Sequence, residues 1–172
     1  YIRAHGILRR ILALYLGQPP GDIAFTQGPQ GKPALAAPPH PARLEFNLTG
    51  SGDLALAAIS LSLPVGIDCE WVRPRHELLG VARRMFAPEV ALALEETPGP
   101  DRLEPFYTAW TAMEAVVKAD GRGLFQPRDP RGLAADQVLA VAHCLPLPGY
   151  IAAVARADLP PVEQWGSFEL AD

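Results

Sequence analysis

Apolar residues recur at helical spacing in four stretches of the chain. The last stretch is the clearest, because Phe106, Trp110 and Met113 follow one another at spacings of four and three residues and so share one helix face. A glycine at position 121 is suited to end that helix, since glycine readily takes the left-handed conformation found at helix C-termini. The predicted helices cover residues 2–16, 76–85, 88–96 and 103–119.

Short apolar runs, some of them alternating with polar residues, predict strands between these helices. Residues 34–43 are rich in alanine and proline and are predicted instead to form an extended connector. Helices mixed with short, hairpin-like strands are typical of the α+β class. The predicted strands cover residues 23–25, 44–48, 54–61, 65–70, 138–142 and 150–155.

The composition and charge narrow the possible classes of protein. Of the 172 residues, 49% are apolar, which is enough for a core and argues against disorder. The formal net charge of −4 argues against nucleic acid as the main partner. No uninterrupted apolar run has the length of a membrane span. The two cysteines, Cys69 and Cys144, do not have the spacing of a disulfide framework, so a reducing cytoplasm is the expected location.

Asp68 and Glu70 are two residues apart on a predicted strand, so their side chains point to the same face. Two carboxylates on one face repel each other unless a cation lies between them, and oxygen ligands favour a hard ion such as magnesium. A solvated surface pair is the simpler interpretation of this spacing on its own. Gly66, two residues before Asp68, would allow another part of the backbone to approach the strand closely.

Glu114 and Lys118 are four residues apart on the strongest predicted helix and therefore share a face. One interpretation is an ion pair that stabilises the helix by about 0.3–0.5 kcal/mol. The other interpretation is functional, and makes Glu114 a third carboxylate and Lys118 a phosphate contact. Trp110 and Met113, on the same helix, are most simply core residues. The residues alone leave both interpretations of the charged pair open.

Four short motifs follow one another along the chain: GKP at 31–33, FNLTGS at 46–51, VGIDCE at 65–70 and WTAMEAVVKADGRGL at 110–124. Their order and spacing resemble those of the 4′-phosphopantetheinyl transferases, and in particular of the larger, monomeric type, which activates surfactin synthetase and other peptide synthetases. The resemblance spans residues 1 to about 125.

The resemblance implies a fold made of two related halves. It implies a pseudo-twofold pair of similar α+β halves, each a small antiparallel sheet packed on a long helix, with coenzyme A in the cleft between them. The first half would be residues 1–66, lacking an N-terminal strand that relatives carry upstream of Tyr1, and the second half would be residues 67–172. A monomer is expected, because both halves belong to one chain.

The resemblance also implies an enzyme, a magnesium-dependent transferase that moves 4′-phosphopantetheine from coenzyme A to a serine of an apo-carrier protein and releases 3′,5′-adenosine bisphosphate. Magnesium would be held by Asp68, Glu70 and Glu114. Glu114, or a water molecule on the ion, would take the serine proton, and Asp68 and Lys118 would complete the catalytic set. The expected contacts to coenzyme A are Lys32, Pro33, Thr49, Gly50, Ser51 and Lys118.

Two positions differ from the family pattern: Gly50 stands where relatives have histidine, and Met113 where they have lysine. Both residues of the relatives contact phosphate groups, and losing such a contact costs on the order of 1.5–3 kcal/mol. An active but weakened or specialised transferase is favoured, because all three carboxylates are kept. The alternatives are a homologue that only binds coenzyme A or the carrier protein, and an unrelated magnesium-dependent phosphohydrolase.

Four arginines lie in a short stretch that contains a single acid, Glu77. Carrier proteins are typically acidic around their modified serine, so these arginines would steer them towards the enzyme. An ordinary solvated helix face is the equally simple interpretation. The four residues are Arg73, Arg75, Arg83 and Arg84.

Overall fold

Helices and antiparallel strands are mixed in the computed structural model of this protein, which describes residues 2–28, 31–36, 43–121 and 138–169. The predicted α+β class is confirmed. The helices are α1 (Ile2–Leu16), α2 (Leu78–Met85), α3 (Pro88–Glu96) and α4 (Leu103–Asp120). The strands are β1 (Phe25–Gln27), β2 (Pro33–Leu35), β3 (Leu44–Ser51), β4 (Leu54–Leu61), β5 (Val65–Trp71), β6 (Ala140–Cys144) and β7 (Tyr150–Arg156).

The described strands form three antiparallel sheets. β1 pairs with β2, and β3 pairs with β4 along its whole length, from Leu44 opposite Leu61 to Ser51 opposite Leu54. The third sheet has the order β5-β7-β6, so β7 lies in the middle. Residues 151–155 of β7 are all buried, as expected for a strand with a neighbour on each side and a helix across its face.

Each of the two larger sheets packs on one of the longer helices. α1 packs on the β3-β4 sheet, where Leu8 and Leu12 join Phe46 in one buried cluster. α4 packs on the β5-β7-β6 sheet, where Ala115 joins Ala153 in another. This is the arrangement of sheets and helices that the resemblance implies. The predicted boundary between residues 66 and 67 falls inside β5, and the division into halves stays a prediction.

The backbones of α4 and β5 approach each other closely at Gly66. A Cβ atom added to Gly66 would overlap the carbonyl oxygen of Ala115 and the amide nitrogen of Ala119. A side chain at this position would therefore push the helix away from the sheet. The prediction that Gly66 permits a close approach is confirmed, and the contact brings the polar residues on either side of Ala115 next to β5.

The N-terminal bounds of two elements differ from the prediction. The helix predicted at 76–85 begins at Leu78, because Glu77 has a left-handed backbone conformation (φ 58°) that a helix cannot contain. The strand predicted at 23–25 lies at Phe25–Gln27 instead, since Ile23 ends a short 3₁₀ turn, Pro20–Asp22.

Pairing between strands extends the sheets beyond the predicted bounds. The connector predicted at 34–43 is wrong in its first part, because Pro33–Leu35 forms β2 opposite β1, while residues 37–42 lie outside the described residues. β3 continues past residue 48 to Ser51, paired with β4 throughout. The strand predicted at 138–142 is Ala140–Cys144. These shifts depend on pairing with a second strand, which the residues of one segment alone do not show.

The end of α4 confirms the role predicted for Gly121. This glycine has a φ of 74° and donates its N–H to the carbonyl oxygen of Val117. Residues 122–124, which complete the last motif, lie outside the described residues. Among the helices that the structure describes, none has both the length and the apolar character needed to cross a membrane.

Candidate functional site

Polar side chains at alternate positions of β3 face β5. Asn47 Oδ1 accepts a hydrogen bond from the backbone N–H of Ile67 at 3.0 Å. Ser51 Oγ donates to Glu70 Oε2 at 2.8 Å and accepts from the backbone N–H of Trp71 at 3.1 Å. β3 and β5 belong to different sheets, so these side-chain hydrogen bonds help to join the two sheets at the point where the predicted carboxylates lie.

Asp68 and Lys118 form a largely buried ion pair at this junction. Lys118 Nζ lies 2.6 Å from Asp68 Oδ1, and the two side chains are 28% and 7% exposed. Thr49 Oγ1 donates to the same Oδ1 at 3.1 Å, and Lys118 also donates to the carbonyl oxygen of Ile67 at 3.3 Å. Asp68 Oδ2 is buried and accepts no hydrogen bond from the described residues. One oxygen of this carboxylate is therefore held by the protein, and the other has no partner among the described residues.

Glu114 lies on α4 in the electrostatic field of this ion pair. Its side chain is buried, and burial raises the pKa of the carboxyl from 4.5 to about 6. The charge of Asp68 also raises this pKa, Lys118 lowers it, and Glu70 raises it slightly. Lys118 of α4 pairs with Asp68 of β5 and not with Glu114 of its own helix. The interpretation of Glu114 and Lys118 as an ion pair within the helix is therefore wrong.

The chemistry of these side chains suits a hard cation, although their spacing is not that of a complete metal site. The three carboxylates, Asp68, Glu70 and Glu114, offer oxygen ligands, which magnesium prefers. A buried carboxylate oxygen without a partner, such as Asp68 Oδ2, and a carboxyl pKa raised by neighbouring acids would both be relieved by a cation. Within the described residues, no group of three His, Cys, Asp or Glu side chains is spaced to hold a metal ion. The metal ligands therefore stay a prediction.

Lys32 reaches from the turn before β2 to the C-terminal end of α4. Its Nζ donates to the carbonyl oxygens of Val65 at 3.1 Å and Lys118 at 2.7 Å. Burial lowers the pKa of Lys32, and the charges of Glu45 and Asp120 act in the opposite direction. A cation at this end of a helix is also favoured by the helix dipole. Lys32 thus connects β5 and α4, and its contact with a phosphate stays a prediction.

Position 50 lies on the face of β3 opposite to Thr49 and Ser51, because side chains alternate along a strand. Gly50 pairs with Ala55, and the nearest atom to an added Cβ would be the carbonyl oxygen of Leu54 at 3.4 Å. This is ordinary van der Waals contact. A Cβ atom at position 50 would therefore fit without displacing the backbone.

Met113 and Pro33 lie outside the charged junction. Met113 is partly buried and packs against the hydrophobic cluster that contains Phe106 and Phe86. Pro33 is exposed and pairs with Gln27 at the start of β2. Met113 is therefore a core residue, as the sequence predicts. The contact predicted between Pro33 and coenzyme A stays a prediction.

Two of the four arginines lie against aromatic rings. The guanidinium of Arg73 is 5.6 Å from the ring centroid of Trp71, and that of Arg75 is 5.2 Å from the ring centroid of Trp110. Both arginines are exposed, so each ring supports a charge that remains accessible. Beside Arg75 is an open groove of about 530 Å³ that Leu78 also lines.

The other two arginines lie on α2. Arg83 pairs with Glu95 of α3, with 2.6 Å between Nε and Oε1. Arg84 is exposed on the same helix. The ion pair offsets the charge of Arg83, so the basic surface predicted from the sequence is weaker than four arginines suggest. Docking of a carrier protein to these residues stays a prediction.

Asn47 is a residue of this site that was not among the predicted site residues, although it lies in the FNLTGS motif. A signal for it is present, because Asn47, Thr49 and Ser51 occupy alternate positions at and just after the end of the strand predicted at 44–48. All three are buried or partly buried. Buried polar side chains require hydrogen-bond partners, so this pattern indicates contact with a second polar element.

A model of the 4′-phosphopantetheinyl transferase superfamily matches residues 64–140 of the chain. The matched range contains β5 and α4, and with them the four charged residues at the centre of the site. These residues are Asp68, Glu70, Glu114 and Lys118.

Several transferases are similar to most of the chain. The 4′-phosphopantetheinyl transferase HetI of Nostoc is 34% identical over 166 residues, which are 91% of this chain and 70% of HetI. The 4′-phosphopantetheinyl transferase AcpT of Salmonella typhimurium is 32% identical over 155 residues, which are 85% of this chain and 78% of AcpT. A 4′-phosphopantetheinyl transferase of Bacillus subtilis is 31% identical over 123 residues, which are 72% of this chain and 52% of that protein.

Proposed function

Because this chain belongs to the 4′-phosphopantetheinyl transferase superfamily, we propose that it transfers 4′-phosphopantetheine from coenzyme A to a serine of an apo-carrier protein. The observation that best supports this proposal is the largely buried Lys118–Asp68 ion pair with Glu114 beside it. Isolating so much charge from water is costly, and such centres are typical of catalytic sites.

Magnesium is the cofactor that we propose, held by Asp68, Glu70 and Glu114. When bound, the ion would neutralise the pyrophosphate of coenzyme A and polarise the phosphorus that is attacked. Asp68 Oδ2, which has no partner among the described residues, and the raised pKa of Glu114 support this assignment. The metal-free spacing of the carboxylates does not by itself form a three-ligand site in the described residues, so the side chains would have to adjust on binding.

In the proposed reaction, the serine oxygen of the carrier protein forms a bond to the β-phosphorus of coenzyme A, and the bond from that phosphorus to the oxygen of 3′,5′-adenosine bisphosphate breaks. The leaving group keeps the electron pair. Glu114, which lies beside the Lys118–Asp68 ion pair, or a water molecule on the ion, would accept the serine proton. Lys118 would stabilise the negative charge of the phosphates.

The resemblance implies that coenzyme A contacts Lys32, Pro33, Thr49, Gly50, Ser51 and Lys118, and we propose these contacts for Lys32, Pro33, Gly50 and Lys118. Lys32 could reach a phosphate by exchanging its bonds to the carbonyl oxygens of Val65 and Lys118. The acidic face of the carrier protein would meet Arg73, Arg75 and Arg84, which are exposed, while Arg83 is shared with Glu95. A monomer in the cytoplasm is proposed as well, and the two free cysteines support a reducing compartment.

The experiment that tests this function is intact-mass spectrometry of an apo-carrier protein incubated with the chain, coenzyme A and magnesium. The expected result is a gain of one phosphopantetheine group by the carrier, which EDTA prevents. Hydrolysis of coenzyme A at the same rate without any carrier would instead support a phosphohydrolase. No modification of any of several carriers, with coenzyme A still bound, would support a homologue that only binds.

Gly50 and Met113 are the observations that favour the binding-only alternative. We expect them to weaken the transferase rather than abolish it, and the double variant Gly50→His/Met113→Lys to raise kcat/KM for coenzyme A. Each regained phosphate contact is expected to raise kcat/KM by roughly ten- to hundredfold. The backbone at Gly50 accepts a side chain, and a lysine at the partly buried position 113 can extend its ammonium to the surface. If only the double variant transfers and the wild type does not, the natural chain is a binding protein.

A further inference from the structure

We infer that Thr49 and Ser51 are positioning residues, whose hydrogen bonds to the carboxylates of Asp68 and Glu70 limit the movement that these carboxylates need in order to bind a metal ion. The inference rests on the proposed function. It assigns to the two hydroxyls a role different from the direct contact with coenzyme A that the resemblance implies. The hydrogen bonds between β3 and β5 carry it.

The hydroxyl of Ser51 has a fixed orientation. A backbone N–H can only donate, so the bond from the Trp71 N–H to Ser51 Oγ uses a lone pair of the hydroxyl. The single proton of the hydroxyl is then directed at Glu70 Oε2, 2.8 Å away. Trp71 follows Glu70 in β5, so the hydroxyl is fixed to the same strand that carries the carboxylate. Ser51 therefore limits the orientations that the carboxylate of Glu70 can take.

The hydroxyl of Thr49 acts on Asp68 in a similar way. It donates to Asp68 Oδ1 at 3.1 Å and accepts from Lys118 Nζ at 3.4 Å, while Lys118 itself donates to Oδ1 at 2.6 Å. Oδ1 therefore has two donors, whereas Oδ2 is buried with none among the described residues. Thr49 and Lys118 together turn the carboxylate so that Oδ2 is the oxygen available to a cation.

The two hydroxyls match the two carboxylates in register. Thr49 and Ser51 are two residues apart on β3, and Asp68 and Glu70 are two residues apart on β5, so each pair lies on one face of its strand. Asn47 adds a third bond in the same row, to the backbone rather than to a carboxylate. Hydrogen bonds to metal-binding carboxylates tune metal affinity, and their loss typically weakens binding by roughly 10–100-fold.

The test is the affinity of the protein for Mn²⁺, a paramagnetic substitute for Mg²⁺, measured by electron paramagnetic resonance without any carrier protein. Ser51→Ala and Thr49→Val are each expected to weaken Mn²⁺ binding by roughly 10–100-fold. Ser51→Thr and Thr49→Ser keep a hydroxyl and are expected to bind Mn²⁺ with about the affinity of the wild type. Ser60→Ala is the matched control, because Ser60 is a buried strand serine whose hydroxyl contacts Arg156 Nη1 at 3.3 Å, not a carboxylate.

Coenzyme A affinity, measured by calorimetry with EDTA, separates positioning from direct contact. Weaker Mn²⁺ binding with unchanged affinity for coenzyme A supports the inference. Unchanged Mn²⁺ affinity in Ser51→Ala and Thr49→Val overturns it, whether or not coenzyme A binding falls, and so does a wild type that binds no Mn²⁺. Ser51 is partly exposed, so Ser51→Ala decides the matter even if Thr49→Val, at a buried position, fails to fold.

Failure of this inference can be told apart from failure of the proposed function. A wild type that modifies a carrier protein, together with variants that keep their Mn²⁺ affinity, would contradict the positioning role alone. A wild type that modifies no carrier protein would contradict the function, whatever the hydroxyls do to Mn²⁺ binding.

Discussion

Glu114 is the residue at which burial and charge repulsion oppose stability most directly. The folded protein holds its proton more tightly than the unfolded chain does, with a pKa of about 6 against 4.5. The free energy of unfolding therefore falls as the pH rises between these two values, and stays lower above them. We expect Glu114→Gln to raise this free energy by about 2 kcal/mol at pH 7 in metal-free buffer, and to change it little at pH 4. Urea unfolding with EDTA at both pH values measures the difference.

Glu104→Gln is the matched control for that measurement, because Glu104 is an exposed carboxylate on the same helix. Its replacement should have a small effect at either pH. A gain for Glu114→Gln that is as large at pH 4 as at pH 7 would contradict the account, since an uncharged Glu114 leaves no repulsion to remove.

The Lys118–Asp68 ion pair predicts a second effect on stability. Lys118→Met would leave the buried charge of Asp68 unpaired, and the expected loss is about 3 kcal/mol in the free energy of unfolding. The double variant Asp68→Asn/Lys118→Met should recover part of the loss, because neither charge remains. Urea unfolding with EDTA gives both values.

Arg43→Met is the comparison for that loss. Arg43 pairs with Glu45 at 2.8 Å, but the arginine side chain is 71% exposed, so water replaces the lost contact. The expected loss is below about 1 kcal/mol. Equal losses for Lys118→Met and Arg43→Met would mean that the Asp68 carboxylate is solvated and that the junction is not a buried site.

Among the elements, the contact between β5 and α4 depends on the absence of a side chain at Gly66. Gly66→Ala would overlap backbone atoms of Ala115 and Ala119, which cannot rotate away as a flexible side chain can. The expected loss in the free energy of unfolding is about 3 kcal/mol, because α4 must shift off the sheet. Thermal and urea unfolding measure it.

A glycine inside a helix serves as the control, because its replacement by alanine is expected to raise the stability of the protein. Gly80 lies inside α2, and the nearest atom to an added Cβ is 3.9 Å away. Gly80→Ala should therefore stabilise the protein by about 0.5–1 kcal/mol, since alanine is the better helix former. Destabilisation of the same size at both glycines would contradict the close approach of β5 and α4.

The sequence pattern predicts the elements of this site better than it predicts their contacts. α3 and β4 have the bounds that periodicity and apolar runs indicate, because those signals are local. β2 was missed, since its three residues become a strand only through pairing with β1. The spacing of Glu114 and Lys118 suggested a pair within α4, whereas burial beside β5 gives Lys118 a nearer partner in Asp68. Contacts between distant segments therefore required the structure.

For the whole molecule, the site is assembled from three separated parts of the chain. β3 contributes the hydroxyls, β5 two carboxylates, and α4 the third carboxylate and the lysine. The motifs identified these residues as a group through the resemblance, and the structure brings them to one junction between two sheets. The chain spans 70% of HetI and 78% of AcpT. The activity of these longer relatives is therefore a proposal for this chain, and a measurement of phosphopantetheine transfer tests it.

We propose that the centre formed by Asp68, Lys118 and Glu114 catalyses phosphopantetheine transfer. The most direct measurement is the initial rate at which apo-carrier protein gains phosphopantetheine, followed by intact mass, for wild type, Glu114→Ala and Glu104→Ala. Wild type and Glu104→Ala are expected to modify the carrier at similar rates. Glu114→Ala is expected to remain folded and to be slower by at least about a hundredfold. Transfer by Glu114→Ala at the wild-type rate would contradict it.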